Sequence, residues 1–357
     1  MFPKTIEWID GKVRFIDQLS LPRKLRFIET TSPERIIEAI KNMEIRGAPA
    51  LGAAAALALA LTAFHSKAKD LENIVRELKN IAEELRRSRP TARNLFWAID
   101  RIMKKVEEFK GSVEELRQVV LDEAIKILRE DIEVNRKIGE YGANLIEDGD
   151  TILTYCNAGS LATVHYGTAL GVIRRAWEEG KKIRVIAPET RPKLQGARLT
   201  CFELVYEGIP VTLITDNSIG LLMTKGLIDK VIVGADRVLK DGTVYNKIGT
   251  YMIAVLAKRH KIPFYVAAPT STFDLESSVN EVVIEQRDPR EVIEICGCKL
   301  APEEVEVMNF AFDITPPELI TAIITEIGVI RPPYEENIRK ALIKNPALRQ
   351  DNSDVTK

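Results

Sequence analysis

From Gly149 onward the chain alternates short β-branched, apolar runs with helical segments of about ten to twenty residues, and that alternation leaves few folds open. Strands are expected at Thr151–Tyr155, Ile183–Ala187, Val211–Thr215, Lys230–Gly234 and Phe264–Ala267, with Glu281–Glu285 as a less regular sixth. Strands separated by helices pair in parallel, so this half of the chain is expected to be a Rossmann-like parallel sheet of the α/β class. Such sheets gather ligands at the carboxyl ends of their strands. Cys156, Glu189, Asp216 and Asp236 each follow closely on the last apolar residue of a strand, which lines up a thiol and three carboxyls along one edge.

The first strand runs into TILTYCNAGSLATVHYGT, residues 151–168. Its apolar run stops at Cys156, and the small residues Asn157 to Ser160 suit a sharp turn before a helix expected near Leu161. The free N–H groups and positive dipole end of a helix favour phosphate or thiolate there, although a free cysteine is often no more than a small buried hydrophobe. Two later segments add donors at the same edge. Arg191 to Arg198 follows Glu189 and leads into a helix, bringing Gln195 with it. Asp236 to Tyr251 turns at Asp241-Gly242 and is expected to enter a helix behind Asn246 and Lys247. Asn at such a place is usually a cap, whereas Lys247 points a cation at an anion-friendly terminus.

The preceding half reads differently, as a small β unit followed by helices. Thr5–Ile9 and Lys12–Gln18 flank Asp10-Gly11, a hairpin signal. Ser32-Pro33 opens a helix that carries Ile36, Ile37, Ile40 and Met43 at helical spacing. The segment IRGAPALG then leads into an Ala/Leu helix ending near Phe64. Arg46 beside Gly47 and Ala48 can set a guanidinium and N–H groups against one anion, or be a solvated arginine in an interhelical turn. From Asp70 to Gly149 the pattern is helical, interrupted at SRPTARNL, where Pro90 is expected to start a helix and Arg89 precedes it. The expected division is a mainly helical domain over 1–139, the α/β domain over 140–345, and a polar tail over 346–357.

Charge and cysteine usage narrow the function classes. Lys plus Arg (51) nearly balances Asp plus Glu (52), so nothing points to nucleic acid or an anionic membrane surface. The amino terminus lacks an apolar signal segment, and the longest apolar run, Ala48 to Ala63, reads as short of a membrane span, so a cytoplasmic protein is expected. Four cysteines make no disulfide scaffold, and Cys296 and Cys298 form a C-x-C pair without a second cluster to complete a zinc site. A 29% share of charged residues is of the kind found in heat-stable proteins, where a disulfide between two of the four cysteines becomes possible. No dinucleotide fingerprint or Walker loop is present, so a thiol and a carboxyl without metal or cofactor suit proton shuttling on a phosphorylated small molecule.

The segments IRGAPALG, SRPTARNLFWA, TYCNAGSLATVHYGTALG, ETRPKLQGARLT and GADRVLKDGTVYNKIGTY occur in an order and spacing that resemble S-methyl-5-thioribose-1-phosphate isomerase of methionine salvage. The resemblance runs from Thr5 to about Pro333. The wider superfamily includes regulatory subunits of translation initiation factor 2B and ribose-1,5-bisphosphate isomerase. By resemblance, Cys156 and Asp236 form the catalytic pair, with Asp236 as proton donor. Arg46, Gly47, Ala48, Arg89, Gln195, Asn246 and Lys247 match substrate-binding positions. Tyr155 stands where many members have His. The resemblance also implies a cytoplasmic homodimer acting on a sugar phosphate, with no cofactor and a cleft between the two domains.

The implied reaction is an aldose–ketose isomerisation of a sugar whose anomeric oxygen carries phosphate and whose ring cannot open unaided. Protonated Asp236 would donate to the ring oxygen, and hydrogen would pass from C2 to C1 either through an enediol with Cys156 as base or as hydride. Both routes stay open. A free Asp has a pKa of about 4, so Asp236 is expected to be poorly solvated, and to lie near the Cys156 sulfur. Three other readings remain: a non-catalytic regulatory subunit of translation initiation, a ribose-1,5-bisphosphate isomerase, and a sugar-phosphate-binding domain without chemistry.

Overall fold

The computed structural model describes residues 2–89, 92–295, 297–302 and 304–343. Pro90, expected to start a helix, Cys296 of the C-x-C pair, and the 346–357 tail lie outside the described residues. The chain divides into two compact units. One comprises the residues up to Arg136 together with Ala158–Gly171, and the other Lys137–Asn157 with the chain from Val172 onward.

The first unit opens with β1 (Ile6–Ile9) and β2 (Lys12–Ile16), joined by Asp10 and Gly11 at φ 44° and 81°, the left-handed pair that a tight hairpin turn requires. β3 (Phe27–Thr30) completes an antiparallel sheet. Next come α1 (Pro33–Lys41), α2 (Ala48–His65), α3 (Leu71–Ser88), α4 (Arg93–Glu108) and α5 (Val113–Ala143), the last of which belongs to the second unit from Lys137 onward. Their ends are written in the sequence. Ser32 Oγ accepts the Arg35 N–H at 3.1 Å and Asp70 accepts that of Asn73 at 2.8 Å. Ser112 and Glu115 close a reciprocal capping box ahead of α5. Helix α2 is apolar on all sides and is the centre of this unit's core. By length and composition it could cross a membrane, contrary to the reading of the run as too short, yet 83% of it is buried inside the protein, as a core helix is.

The rest of the chain forms β4 (Thr151–Leu153), α6 (Ala169–Glu178), β5 (Arg184–Pro188), α7 (Cys201–Tyr206), β6 (Val211–Ile214), α8 (Ile219–Thr224) and β7 (Lys230–Val233). There follow β8 (Arg237–Leu239), β9 (Val244–Lys247), α9 (Thr250–His260), β10 (Phe264–Ala267), β11 (Phe273–Asp274) and α10 (Arg290–Ile293). The last elements are β12 (Glu294–Ile295), β13 (Cys298–Lys299), β14 (Phe312–Thr315), β15 (Ala322–Thr325), β16 (Gly328–Ile330) and α11 (Tyr334–Ile343). The main sheet has the order β16-β15-β10-β7-β4-β5-β6 and is parallel except for β16, so the Rossmann-like α/β expectation holds. β7, β10 and β15 are buried along their whole length, which is why they read as continuous apolar runs.

Three local expectations are corrected. Glu281–Glu285 is not a strand. Val283 is 78% exposed, and a β-branched run without a surface to cover it gains nothing from pairing. The remaining strands of the sheet come instead from Ala322–Ile330, an apolar run whose periodicity cannot separate helix from strand. No helix begins at Leu161: Ser160–Ala162 forms a single 3₁₀ turn. There Ser160 Oγ accepts the Tyr166 N–H at 3.0 Å and Thr163 Oγ1 accepts that of Gly167 at 3.2 Å, so side chains take backbone partners that a helix would need. Asn246 and Lys247 are the last residues of β9 rather than the start of α9, whose N-cap is Gly249.

Candidate active site

Strand order reverses between β4 and β7. From β4 the chain winds outward through β5 to β6, then returns to the other side of β4 as β7 and continues to β10 and β15. Ligands of open α/β sheets bind at such a reversal, beyond the carboxyl ends of the strands. Leu153 pairs with Val231 across it. Cys156 follows the one strand and Asp236 the other. The two sequence candidates for chemistry therefore leave neighbouring strands at the same end. Asp236 is half-buried, and its N–H donates to Tyr245 O at 2.9 Å, tying it to β9. Cys156 is buried and held at φ 59°, a left-handed conformation seldom taken by a residue with a Cβ and enriched at functional sites. It lies in a non-helical turn, so a helix dipole at Leu161 is not what conditions the thiol.

The loop after β5 packs on this cysteine. Thr190 is left-handed too, at φ 63°, and its Oγ1 accepts the Cys156 N–H at 3.0 Å. Both Asp216 oxygens are engaged, by the N–H groups of Thr190 at 2.8 Å and Arg191 at 2.7 Å, which makes Asp216 a loop holder. Gln195 is 3% exposed, and its Oε1 has no hydrogen-bond partner in the described structure, an orphaned acceptor of the kind a sugar hydroxyl satisfies. The following Gly196–Thr200 is a π-turn, a feature common at functional sites. Gly196 is obligatory there, since a Cβ would stand 1.8 Å from Pro188 O.

On the other side, Asn246 Nδ2 donates to Thr250 Oγ1 at 3.0 Å, and Lys247 Nζ lies 5.2 Å from the centre of the Phe312 ring, a cation–π contact. Both residues are buried. Tyr155 connects the two sides. Its hydroxyl donates to Ile248 O at 3.0 Å, and burial, together with Asp216, Cys156, Asp313 and Glu189, pushes its pKa upward and keeps it a donor. Asp313, directly across from Asn246 on β14, was not singled out from the sequence. It accepts the N–H groups of Gly249 at 2.7 Å and Tyr251 at 3.1 Å at the start of α9, and burial pushes its pKa up to about 6. A carboxyl raised from 3.8 contributes stability that is fully present below about pH 4 and lost as pH climbs through about 6. Relative to Asp313→Asn, the wild-type protein is therefore expected to lose on the order of 2 kcal/mol between pH 4 and pH 7. Urea unfolding of both proteins at the two pH values checks it, and parallel profiles would contradict it.

Arg46, Gly47, Ala48 and Arg89 lie in the first unit. Ala48 begins α2, and Gly47 is its N-cap at φ 96°, where a Cβ would stand 2.4 Å from Ala162 Cα. Arg46, charged yet only 9% exposed, immediately precedes this helix start. Arg89 is the C-cap of α3. The Val164 N–H in the Ala158–Gly171 segment donates at 2.7 Å to Asp131, whose carboxyl burial pushes up to about 7.

Elsewhere in the second unit the chemistry is poorer. Burial pushes the Cys201 thiol up to about 11, which leaves it protonated at neutral pH. A cavity of about 790 Å³ opens at the far end of the sheet, among Pro263, Thr321 and Tyr334 at the entries to β10, β15 and α11, and Cys156 and Asp236 do not line it.

Known proteins give this edge a context. The family described as "Initiation factor 2 subunit family" matches residues 44–332. A protein of Thermotoga maritima named methylthioribose-1-phosphate isomerase is 55% identical over 340 residues, covering 95% of this chain and 98% of its own length. A crystal structure of 5-methylthioribose 1-phosphate isomerase from Pyrococcus horikoshii superimposes with TM-score 0.91 at 46% identity, covering 96% of this chain and 97% of that one. A crystal structure described as translation initiation factor eIF-2B, subunit delta, from A. fulgidus gives TM-score 0.85 at 54% identity, covering 95% and 99%. The chain belongs to the initiation factor 2 subunit family, in company with its members named methylthioribose-1-phosphate isomerase.

Proposed function

We propose that the protein isomerises 5-methylthioribose 1-phosphate to 5-methylthioribulose 1-phosphate, with Cys156 and Asp236 as the reacting pair. The observation that carries this is the placement of a strained, buried cysteine and an aspartate just beyond the carboxyl ends of the two strands that flank the reversal of the sheet. The names of relatives more than half identical over nearly the whole chain supply the substrate. Asp236 gives a proton to the ring oxygen as the C1 to ring-oxygen bond breaks. In the enediol route Cys156 takes the C2 proton, the hydrogen on its sulfur exchanges with solvent before C1 is protonated from it, and the C2 hydroxyl gives its proton to the carboxylate that Asp236 has become. In the hydride route the C2 hydrogen moves to C1 with its electron pair while the C2 hydroxyl gives its proton to Cys156, and solvent reprotonates Asp236. Gln195 bonds a sugar hydroxyl through its orphaned Oε1, and Asn246 and Lys247 bind the phosphate and the remaining hydroxyls.

Purified protein mixed with methylthioribose 1-phosphate is expected to form the ketose, followed by ³¹P NMR. In deuterium oxide the enediol route labels C1 and the hydride route does not. The A. fulgidus structure supports a second reading, a non-catalytic translation initiation subunit, and no turnover would favour it. Faster turnover of ribose 1,5-bisphosphate would instead favour that sugar as substrate.

We further propose that the enzyme works as a cytoplasmic homodimer through the second unit, where Val205 and Tyr206 on α7, Leu213 on β6 and Leu221 on α8 are each more than half exposed. Sedimentation at the mass of two chains supports this, and a monomer sinks it.

A further inference from the structure

We propose that Thr190 and Thr200 are positioning residues that clasp the backbone of Cys156 from both sides and hold its thiol in working position. The proposal rests on Cys156 acting in the isomerisation above. One hydroxyl takes each polar group of the cysteine's main chain: Thr190 Oγ1 accepts the N–H at 3.0 Å, and Thr200 Oγ1 donates to the carbonyl at 2.6 Å. Both threonines are fully buried. A left-handed cysteine does not keep that conformation unless its surroundings over-determine it, and these two bonds are what the surroundings supply.

Each threonine is itself fixed from behind. Thr190, β-branched and left-handed, is secured by Asp216 through its own N–H and that of Arg191. Thr200 is secured by a directional relay. Glu203 is 0% exposed and its carboxylate, when ionised, only accepts, so Asn157 must turn its Nδ2 toward it, at 2.9 Å. The same Nδ2 donates to Thr200 Oγ1 at 3.2 Å, which directs the threonine's own hydrogen onto the Cys156 carbonyl. Arg174, 3% exposed, neutralises the buried acid: its Nη2 is 3.5 Å from Glu203 and its Nε 2.6 Å from Glu207. A buried ion pair is an expensive way to gain stability but an effective way to specify one arrangement, and this one leads to the cysteine.

The test compares wild type with Thr200→Val, which keeps shape and removes the hydroxyl, and Thr200→Ser, which keeps the hydroxyl. Two readouts are taken: steady-state kinetics with methylthioribose 1-phosphate, and the rate of iodoacetamide alkylation at Cys156 across pH, followed on the peptide by mass spectrometry. Thr200→Val is expected to lower kcat by about tenfold to a hundredfold with KM nearly unchanged, and to shift the alkylation profile. Thr200→Ser should stay within about threefold of wild type in both. Thr190→Val and Thr190→Ser repeat the comparison should Thr200→Val fail to fold. A valine variant with wild-type kcat, a rise in KM alone, or a serine variant as impaired as the valine overturns the clasp. Should wild type not turn the sugar over, the isomerase reading fails by itself. Alkylation then decides the clasp: a profile altered in valine and restored in serine sustains it, and superimposable profiles overturn it.

Discussion

Cys156→Ser is expected to lower kcat by about a thousandfold while KM stays within about fivefold. Serine is nearly isosteric, and the bonds that fix this residue run to its backbone, so the turn should survive the change. What disappears is the sulfur that the enediol route uses as its base, and an alcohol is a far poorer proton carrier than a thiol. Asp236→Asn is expected to have a loss of the same order, because an amide has no proton to give the ring oxygen as the ring opens. The groups proposed to bind the phosphate are untouched in either variant, which is why KM should change little. Because both side chains serve one step, the double variant should be only slightly slower than either single one. Steady-state kinetics checks all three, and wild-type kcat in either single variant would refute the assignment.

Gly196→Ala is expected to destabilise the protein by about 3 kcal/mol or more and to abolish turnover in whatever folds. The new Cβ would meet Pro188 O at 1.8 Å, a backbone atom at the end of β5 that cannot step aside without disturbing the sheet. The relief available is a shift of the loop carrying Thr190, Gln195 and Thr200, which ties the stability of this segment to the site. Urea unfolding together with kcat tests it. An unchanged unfolding midpoint would show that the loop yields freely and that the close approach has no consequence.

Much of the fold was legible because it rests on local signals. The Asp10-Gly11 hairpin, the Ser32 cap, the Ala/Leu core helix and strands β4, β5, β6, β7 and β10 follow from turn chemistry and periodicity, and they lie where the sequence puts them. What was misread depends on pairing between distant segments. Asn246 and Lys247 read as a helix entry, yet they belong to a strand because β14 pairs with it, Phe312 opposite Lys247 and Asp313 opposite Asn246. Nothing local to either segment announces that ladder. Strand β15 was missed because an apolar run buried on both faces has no alternation to reveal it, and β16, three residues at the sheet edge, is too short to show a period.

The candidate site divides along the same line. Cys156 and Asp236 could be found because each ends a recognisable strand. Gln195 was found through the motif it sits in, while the chemical reason for it, an orphaned buried oxygen, belongs to the fold. Thr190, Thr200 and Asp313 were out of reach: a threonine carries no sequence mark of which backbone it will hold, and an aspartate on a short strand looks like a surface residue until the amides of Gly249 and Tyr251 are seen beside it. Tyr155 stood out as a departure in the motif, and its reach to Ile248 gives that departure a structural role.

A crystal structure of Asp236→Asn soaked with methylthioribose 1-phosphate tests the central claim most directly, because the sugar should bind and stay unconverted. The account predicts C2 of the sugar within about 3.5 Å of the Cys156 sulfur and a ribose hydroxyl on Gln195 Oε1. A sugar bound away from that sulfur, with Gln195 still lacking a partner, would contradict it.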